Sequence, residues 1–101
     1  MEKKKPHYLL SEVQQVVRAR GVNAFTATAL TGAAALGLSC DQAVAIVLGL
    51  KQKNFYKSMT TNADHKIWQD VYHAVVKAGL VAYIKVTLRE NGTVVIQFKE
   101  K

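Results

Sequence analysis

Two alternating stretches near the C-terminus constrain this chain most. In Leu80 to Arg89, the residues Leu80, Ala82, Ile84, Val86 and Leu88 fall on one side of an extended strand. Tyr83, Lys85, Thr87 and Arg89 fall on the other. In 93–100, Val94, Ile96 and Phe98 alternate with Val95, Gln97 and Lys99. Glu90-Asn91-Gly92 stands between the two. A two-residue Asn91-Gly92 turn would set Val86 against Gln97 and mix the faces, because a one-residue slip reverses every side chain. A three-residue loop with glycine in the left-handed position keeps the faces apart. It places Ile84 opposite Phe98, Val86 opposite Ile96 and Tyr83 opposite Lys99.

The same loop type at Lys77-Ala78-Gly79 aligns the preceding strand. His73 then lies opposite Tyr83 and Gln69 opposite Thr87, while Trp68, Tyr72, Ala74 and Val76 join the apolar face. The pattern predicts four strands, at 55–61, 66–76, 80–89 and 93–100, in an antiparallel meander. The polar face gathers Gln69, His73, Tyr83, Lys85, Gln97 and Lys99, with Arg89 at its end. The first hairpin is open on pattern alone. A loop of three or five residues puts Lys57 opposite Gln69 on the polar face, and a loop of four sends it to the other side.

An apolar sheet face needs a cover, and the first fifty residues supply helices for it. Ser11 to Gln14 has capping-box spacing, with Val13, Val16 and Val17 behind it and Gly21 as a stop. This predicts a helix over 11–20 with Gln14, Gln15, Arg18 and Arg20 outward. Residues 22–25 read as a brief extended link. A second, alanine-rich helix is expected within 26–36, with Thr28 as a candidate cap; Gly32 weakens it by about 1 kcal/mol relative to alanine. Ser39 to Gln42 repeats the capping-box spacing and opens a third helix over 40–50. Cys40 at its start is read as a quiet, half-buried thiol.

With 101 residues there is room for one domain, residues 1–101, and one core. Fourteen Lys and Arg against seven Asp and Glu give a formal charge of +7, which favours an anionic partner. No apolar run approaches a membrane span. One cysteine excludes an internal disulfide, and three scattered histidines do not make a zinc site. A reducing cytoplasm fits.

Lysines, a tyrosine and glutamines on one sheet face suit a phosphodiester. Ammonium groups attract phosphate, glutamine can read a base edge, and tyrosine can stack or move a proton. No carboxylate cluster accompanies them, so two-metal chemistry is disfavoured. RNA carries its own nucleophile in the 2′-hydroxyl. An enzyme need only position it, take its proton, stabilise the phosphorane and help the 5′-oxygen leave. Each of these residues alone is more often a solvated or half-buried strand residue. On pattern, binding without cleavage stays as open as cleavage.

The residues carry a more specific signal. Phe55-Tyr56-Lys57-Ser58-Met59-Thr60-Thr61, then Asp64-His65, then Ile67-Trp68-Gln69-Asp70-Val71-Tyr72 resembles the MqsR family of motility quorum-sensing regulator toxins. So do Met1-Glu2-Lys3, Pro6-His7, Leu10-Ser11 and the ending Phe98-Lys99-Glu100-Lys101. The likeness covers essentially the whole chain. It implies a type II toxin with a RelE-like microbial RNase fold, three helices packed on one face of the meander. It implies a ribonuclease that cuts mRNA around a GC dinucleotide without a metal, cofactor or ribosome. It also implies an MqsA-like antitoxin with a zinc-binding domain and a helix-turn-helix domain, the complex alone binding operator DNA. The family's catalytic positions fall on Lys57, Gln69, Tyr83 and Lys99, which places Lys57 on the polar face; Lys85, His73, Gln97 and Arg89 surround them as substrate-binding candidates. One departure is that Leu80-Val81-Ala82 is a residue longer than the family pattern before Tyr83, and the three-residue loop absorbs it.

Overall fold

The computed structural model describes residues 1–101. A two-residue strand, β1 (Glu2–Lys3), opens the chain. Three helices follow: α1 (Leu10–Arg20), α2 (Ala27–Ala35) and α3 (Cys40–Leu48). Strands β2 (Phe55–Thr60), β3 (Trp68–Lys77), β4 (Leu80–Leu88) and β5 (Val94–Glu100) complete it. All five strands form one antiparallel sheet in the order β1-β2-β3-β4-β5. The protein is therefore α+β, as the pattern requires. β1 is an addition, since two residues are too few to show alternation. It forms where β2 would otherwise leave an open sheet edge.

The two C-terminal hairpins have the expected register. Tyr83 pairs with Lys99, Ile84 with Phe98 and Val86 with Ile96. Gly92 takes φ +84°, and the Arg89 N–H donates to the Thr93 carbonyl at 2.8 Å. His73 pairs with Tyr83, and a bulge between Val75 and Lys77 leads into Gly79 at φ +79°. The β3–β4 ladder begins at Asp70–Val86, one step short of Gln69.

The first hairpin differs from expectation. Lys57 lies opposite Val71, and Gln69 lies opposite Met59. The link spans residues 61–67 because it folds on itself. Thr61 Oγ1 donates to the Asp64 carbonyl (2.8 Å) and accepts from the Asp64 N–H (2.9 Å), and Asp64 Oδ1 accepts from the Lys66 N–H (2.8 Å). These side-chain turns consume residues assigned to the strands on pattern alone. The link is odd in length, so Lys57 still shares the face of Val71, Gln69 and His73.

Apolar side chains of all three helices join Tyr72, Ala74, Ala82, Ile84, Val86, Val94, Ile96 and Phe98 in one buried cluster. Tyr72 is fully buried there, edge-on to Phe55 at 5.7 Å between centroids, and burial first, then Asp70, pushes its phenol up to about 12. Trp68 shares this sheet face but not the core. It is covered by the N-terminal segment, with His7 stacked at 5.3 Å and the Lys3 ammonium 4.2 Å from the ring.

Helix α2 sits against the outer edge of β5. The Thr26 N–H donates to the Ile96 carbonyl at 3.1 Å, and Phe25 bridges Ile96 in parallel sense. Thr26, not Thr28, caps the helix, its Oγ1 accepting from the Ala29 N–H at 3.0 Å. A Cβ on Gly32 would stand 2.1 Å from the Phe98 carbonyl oxygen. Glycine is thus the condition for this close approach, and the helix-propensity loss is the lesser effect. Gly32→Ala is expected to destabilise the fold by about 2 kcal/mol, a fall in Tm of roughly 10 °C, because strand backbone cannot give way. Thermal unfolding checks this, and an unchanged or raised Tm would contradict the packing.

Local capping follows the sequence in part. Ser39 and Gln42 form the expected capping box at α3. At α1 the box does not form, because the helix begins at Leu10 and Ser11 already lies within it. Gln14 is not outward. Its Nε2 lies 2.9–3.2 Å from the carbonyls of Val47, Leu48 and Leu50, closing the end of α3. Residues 21–24 form a 3-10 turn and not an extended link, and Cys40 is exposed.

Candidate active site

The polar face is built in cross-strand rows. Lys57, Val71, Lys85 and Gln97 form one row across β2 to β5. His73, Tyr83 and Lys99 form the next. Met59 and Gln69 begin a third on the far side of the first. Val71 is fully buried yet outside the apolar core, roofed by the long polar side chains of its own face.

Tyr83 is the centre of this arrangement. Its ring lies 5.3 Å from the Lys99 ammonium and 5.8 Å from that of Lys85. On its other side the His73 ring lies 5.4 Å away, and His73 in turn stacks on Tyr56 at 4.4 Å. The bulge between Phe55 and Lys57 turns Tyr56 toward this stack. His73 Nε2 is buried without a partner, and burial, then Lys101, holds the imidazole below its ordinary range. The His73 ring thus stands between Tyr56 and Tyr83.

The lysines are not equivalent. Lys85 is held below the usual lysine range, first by burial and then by repulsion from Lys99 and Lys57. Lys57 is held above it, chiefly by a hydrogen bond from its ammonium to Glu2 Oε2 at 2.7 Å. This ion pair joins the unexpected strand β1 to the polar face. Glu2 is the polar-face residue that sequence reasoning missed. The only signal for it was an acid inside the basic run MEKKKPHY, and nothing local says that this run returns to β2.

Two depressions lie along the face. One of about 210 Å³ is lined by Tyr83, Lys85, Gln97 and Lys99 with Thr28 and Ala29 of α2. The other, a groove of about 860 Å³, is lined by Gln69, Gln97, Arg89 and Thr87, by His7 and Tyr8, and by Thr61, Lys66 and Asn91. Gln97 lines both and stands between them. Lys57 and His73 line neither. All eight residues expected on this face are on it: Lys57, Lys85, Lys99, Tyr83 and His73 around the centre, Gln69, Gln97 and Arg89 toward the groove. Arg89 falls just past the end of β4, at the start of the loop. Such a surface can hold an anion between ammonium groups, present a phenol beside it and seat planar polar groups in the adjoining groove.

The family described as "Motility quorum-sensing regulator, toxin of MqsA" matches residues 5–100. A relative from Escherichia coli (strain K12), the mRNA interferase toxin MqsR, is 45% identical over 101 residues, covering all of both chains. Matched over residues 5–100 by the family and over its full length by the relative, this chain belongs to the MqsR toxin family.

Proposed function

We propose that this chain is an endoribonuclease toxin that cuts mRNA by attack of the RNA 2′-hydroxyl on the adjacent phosphate. The observation that carries the reading is the placing of three lysines on one sheet face around a tyrosine: the Lys85 and Lys99 ammonium groups flank the Tyr83 ring, and Lys57 stands in the cross-strand row of Lys85. Lys57 and Lys99 hold the scissile phosphate and meet the charge that grows on its oxygens. Tyr83, its phenol flanked by ammonium groups, gives a proton to the departing 5′-oxygen. Gln69, with Gln97 and Arg89, positions the bases in the groove beside the cut, at sites around a GC dinucleotide. His73 orients Tyr83, and Lys85 adds charge under the phosphate.

The face meets transition-state charge with lysines, and no group of three or more His, Cys, Asp or Glu side chains is placed to hold a metal ion. Cleavage in this reading needs neither metal nor ribosome. In this reading the fold is RelE-like, which three helices beside one antiparallel sheet support. An MqsA-like antitoxin, with a zinc-binding domain and a helix-turn-helix domain, neutralises it in the cytoplasm, and operator DNA is bound through that complex. The family's own description, a toxin of MqsA, supports the partner. No single helix is long and apolar enough to cross a membrane.

The test is direct. Purified protein is mixed with a defined RNA in EDTA, without ribosomes, and the products are sequenced at both ends. The expected result is cutting around GC, leaving a 2′,3′-cyclic phosphate and a 5′-hydroxyl. RNA that is bound in a salt-sensitive manner but stays intact would leave the chain a binding module.

A further inference from the structure

We propose that Glu2 is the general base that takes the proton from the RNA 2′-hydroxyl. The inference rests on the reading of the polar face as an RNA-cleaving site, which leaves the proton acceptor unassigned. The other groups on that face do not fit the role. His73 Nε2 is sealed from solvent between two tyrosine rings. Tyr83 is assigned to the leaving 5′-oxygen and Lys57 and Lys99 to the phosphate, and Lys85, whose ammonium is weakened, is half-buried in the row beneath that phosphate.

Glu2 is brought to the face by β1. It pairs opposite Met59 and reaches diagonally to Lys57. Its place is fixed on the neighbouring residue, where the Thr60 N–H donates to the Met1 carbonyl (3.0 Å) and the Met1 amine donates to Thr60 Oγ1 (3.1 Å). The Glu2 side chain is 55% exposed against 18% for Lys57, so the carboxylate is open to a substrate. A lysine ammonium has three donors. One is taken by Glu2, and the next can take a phosphate oxygen. Ordinary hydrogen-bond lengths and a tetrahedral nitrogen put that oxygen about 4.5 Å from Glu2 Oε2. A 2′-hydroxyl next to the phosphate then falls within reach of the carboxylate. Lys57 meanwhile lies between carboxylate and phosphate and offsets their repulsion.

In the step itself the 2′-oxygen–phosphorus bond forms as the phosphorus–5′-oxygen bond breaks. The 2′-hydroxyl proton passes to Glu2, and the 5′-oxygen takes the Tyr83 proton. Proton return from Glu2 to Tyr83 through solvent resets the site. The charged groups facing Glu2 are Lys57 on β2, and Lys4 and the Met1 amine on its own segment. They hold its carboxyl below the ordinary range, the Lys57 hydrogen bond most of all. Protonation of Glu2 therefore sets the acid limb of the free enzyme's pH profile.

The experiment measures kcat, KM and Tm of the wild type, Glu2→Gln and Glu12→Gln on one RNA across pH. Failure of the wild type to cut would remove the cleavage reading itself, and this proposal with it. With an active wild type, Glu2→Gln is expected to lower kcat by about 10²–10⁴ and to lose the acid limb of the profile. Glu12→Gln, which changes net charge equally on α1, keeps wild-type kcat. A Glu2→Gln variant with kcat within about threefold of wild type, or with reduced kcat and an intact acid limb, overturns the proposal. As a second reading, Glu2→Ala is titrated with formate. Activity that rises with formate supports a missing base, and a folded variant that formate does not rescue counts against one.

Discussion

Lys57→Ala and Lys99→Ala each lower kcat for RNA cleavage by about 10²–10³ while leaving Tm near wild type. The magnitude is that of removing one preorganised donor from a developing oxyanion. The two variants differ in a way the geometry dictates. Lys99 flanks the Tyr83 ring and carries no ion pair, so its loss acts on the chemical step. Lys57 is paired with Glu2. Its loss also leaves a bare carboxylate facing the RNA, and KM rises along with the fall in kcat. Steady-state kinetics on one defined RNA separates the two. Wild-type kcat in either variant would sink the assignment of phosphate binding, and equal KM in both would sink the distinct role of the Glu2–Lys57 pair.

The register of the two C-terminal hairpins was legible because it follows from parity. Alternation fixes which residues share a face, and a glycine at the third loop position fixes the loop length; Tyr83, Lys99, Lys85, Gln97 and His73 come together on those grounds alone. Lys57 was legible only as to face, and the family likeness supplied it. Its pairing with Val71 depends on a link held by Thr61 and Asp64, whose side-chain turns leave no mark on hydrophobic period. Gln14 was misplaced, and the cover over Trp68 was unforeseen, for a related reason. Each is decided by a partner distant in sequence, the C-terminus of α3 for one and the N-terminal segment for the other. The same holds for Glu2, which no local pattern brings to Lys57.

That N-terminal segment is held by one buried group, and its removal is expected to have the largest effect on stability. Asp70 is fully buried on β3, on the face opposite Lys57. The His7 N–H lies 3.0 Å from both its oxygens, and the Tyr8 N–H lies 2.9 Å from Oδ2. These donors stand just ahead of Leu9, the residue before α1, whose first turn has no side-chain cap. Asp70 thus ties the helix entrance and the run leading back to β1 onto the sheet. Asp70→Ala removes charge-assisted bonds and strands two donors beside buried surface, at a cost of about 3 kcal/mol. For a domain of this size that is a fall in Tm of roughly 15 °C. The loss is not uniform. Residues 1–9 come away first, and with them the Glu2–Lys57 contact, so amide exchange at Lys3 and Thr60 accelerates well before the core strands open. Thermal unfolding and native-state hydrogen exchange check both parts. An Asp70→Ala protein that melts with the wild type, or that keeps Thr60 protected, would show that the segment is held by something other than this carboxylate.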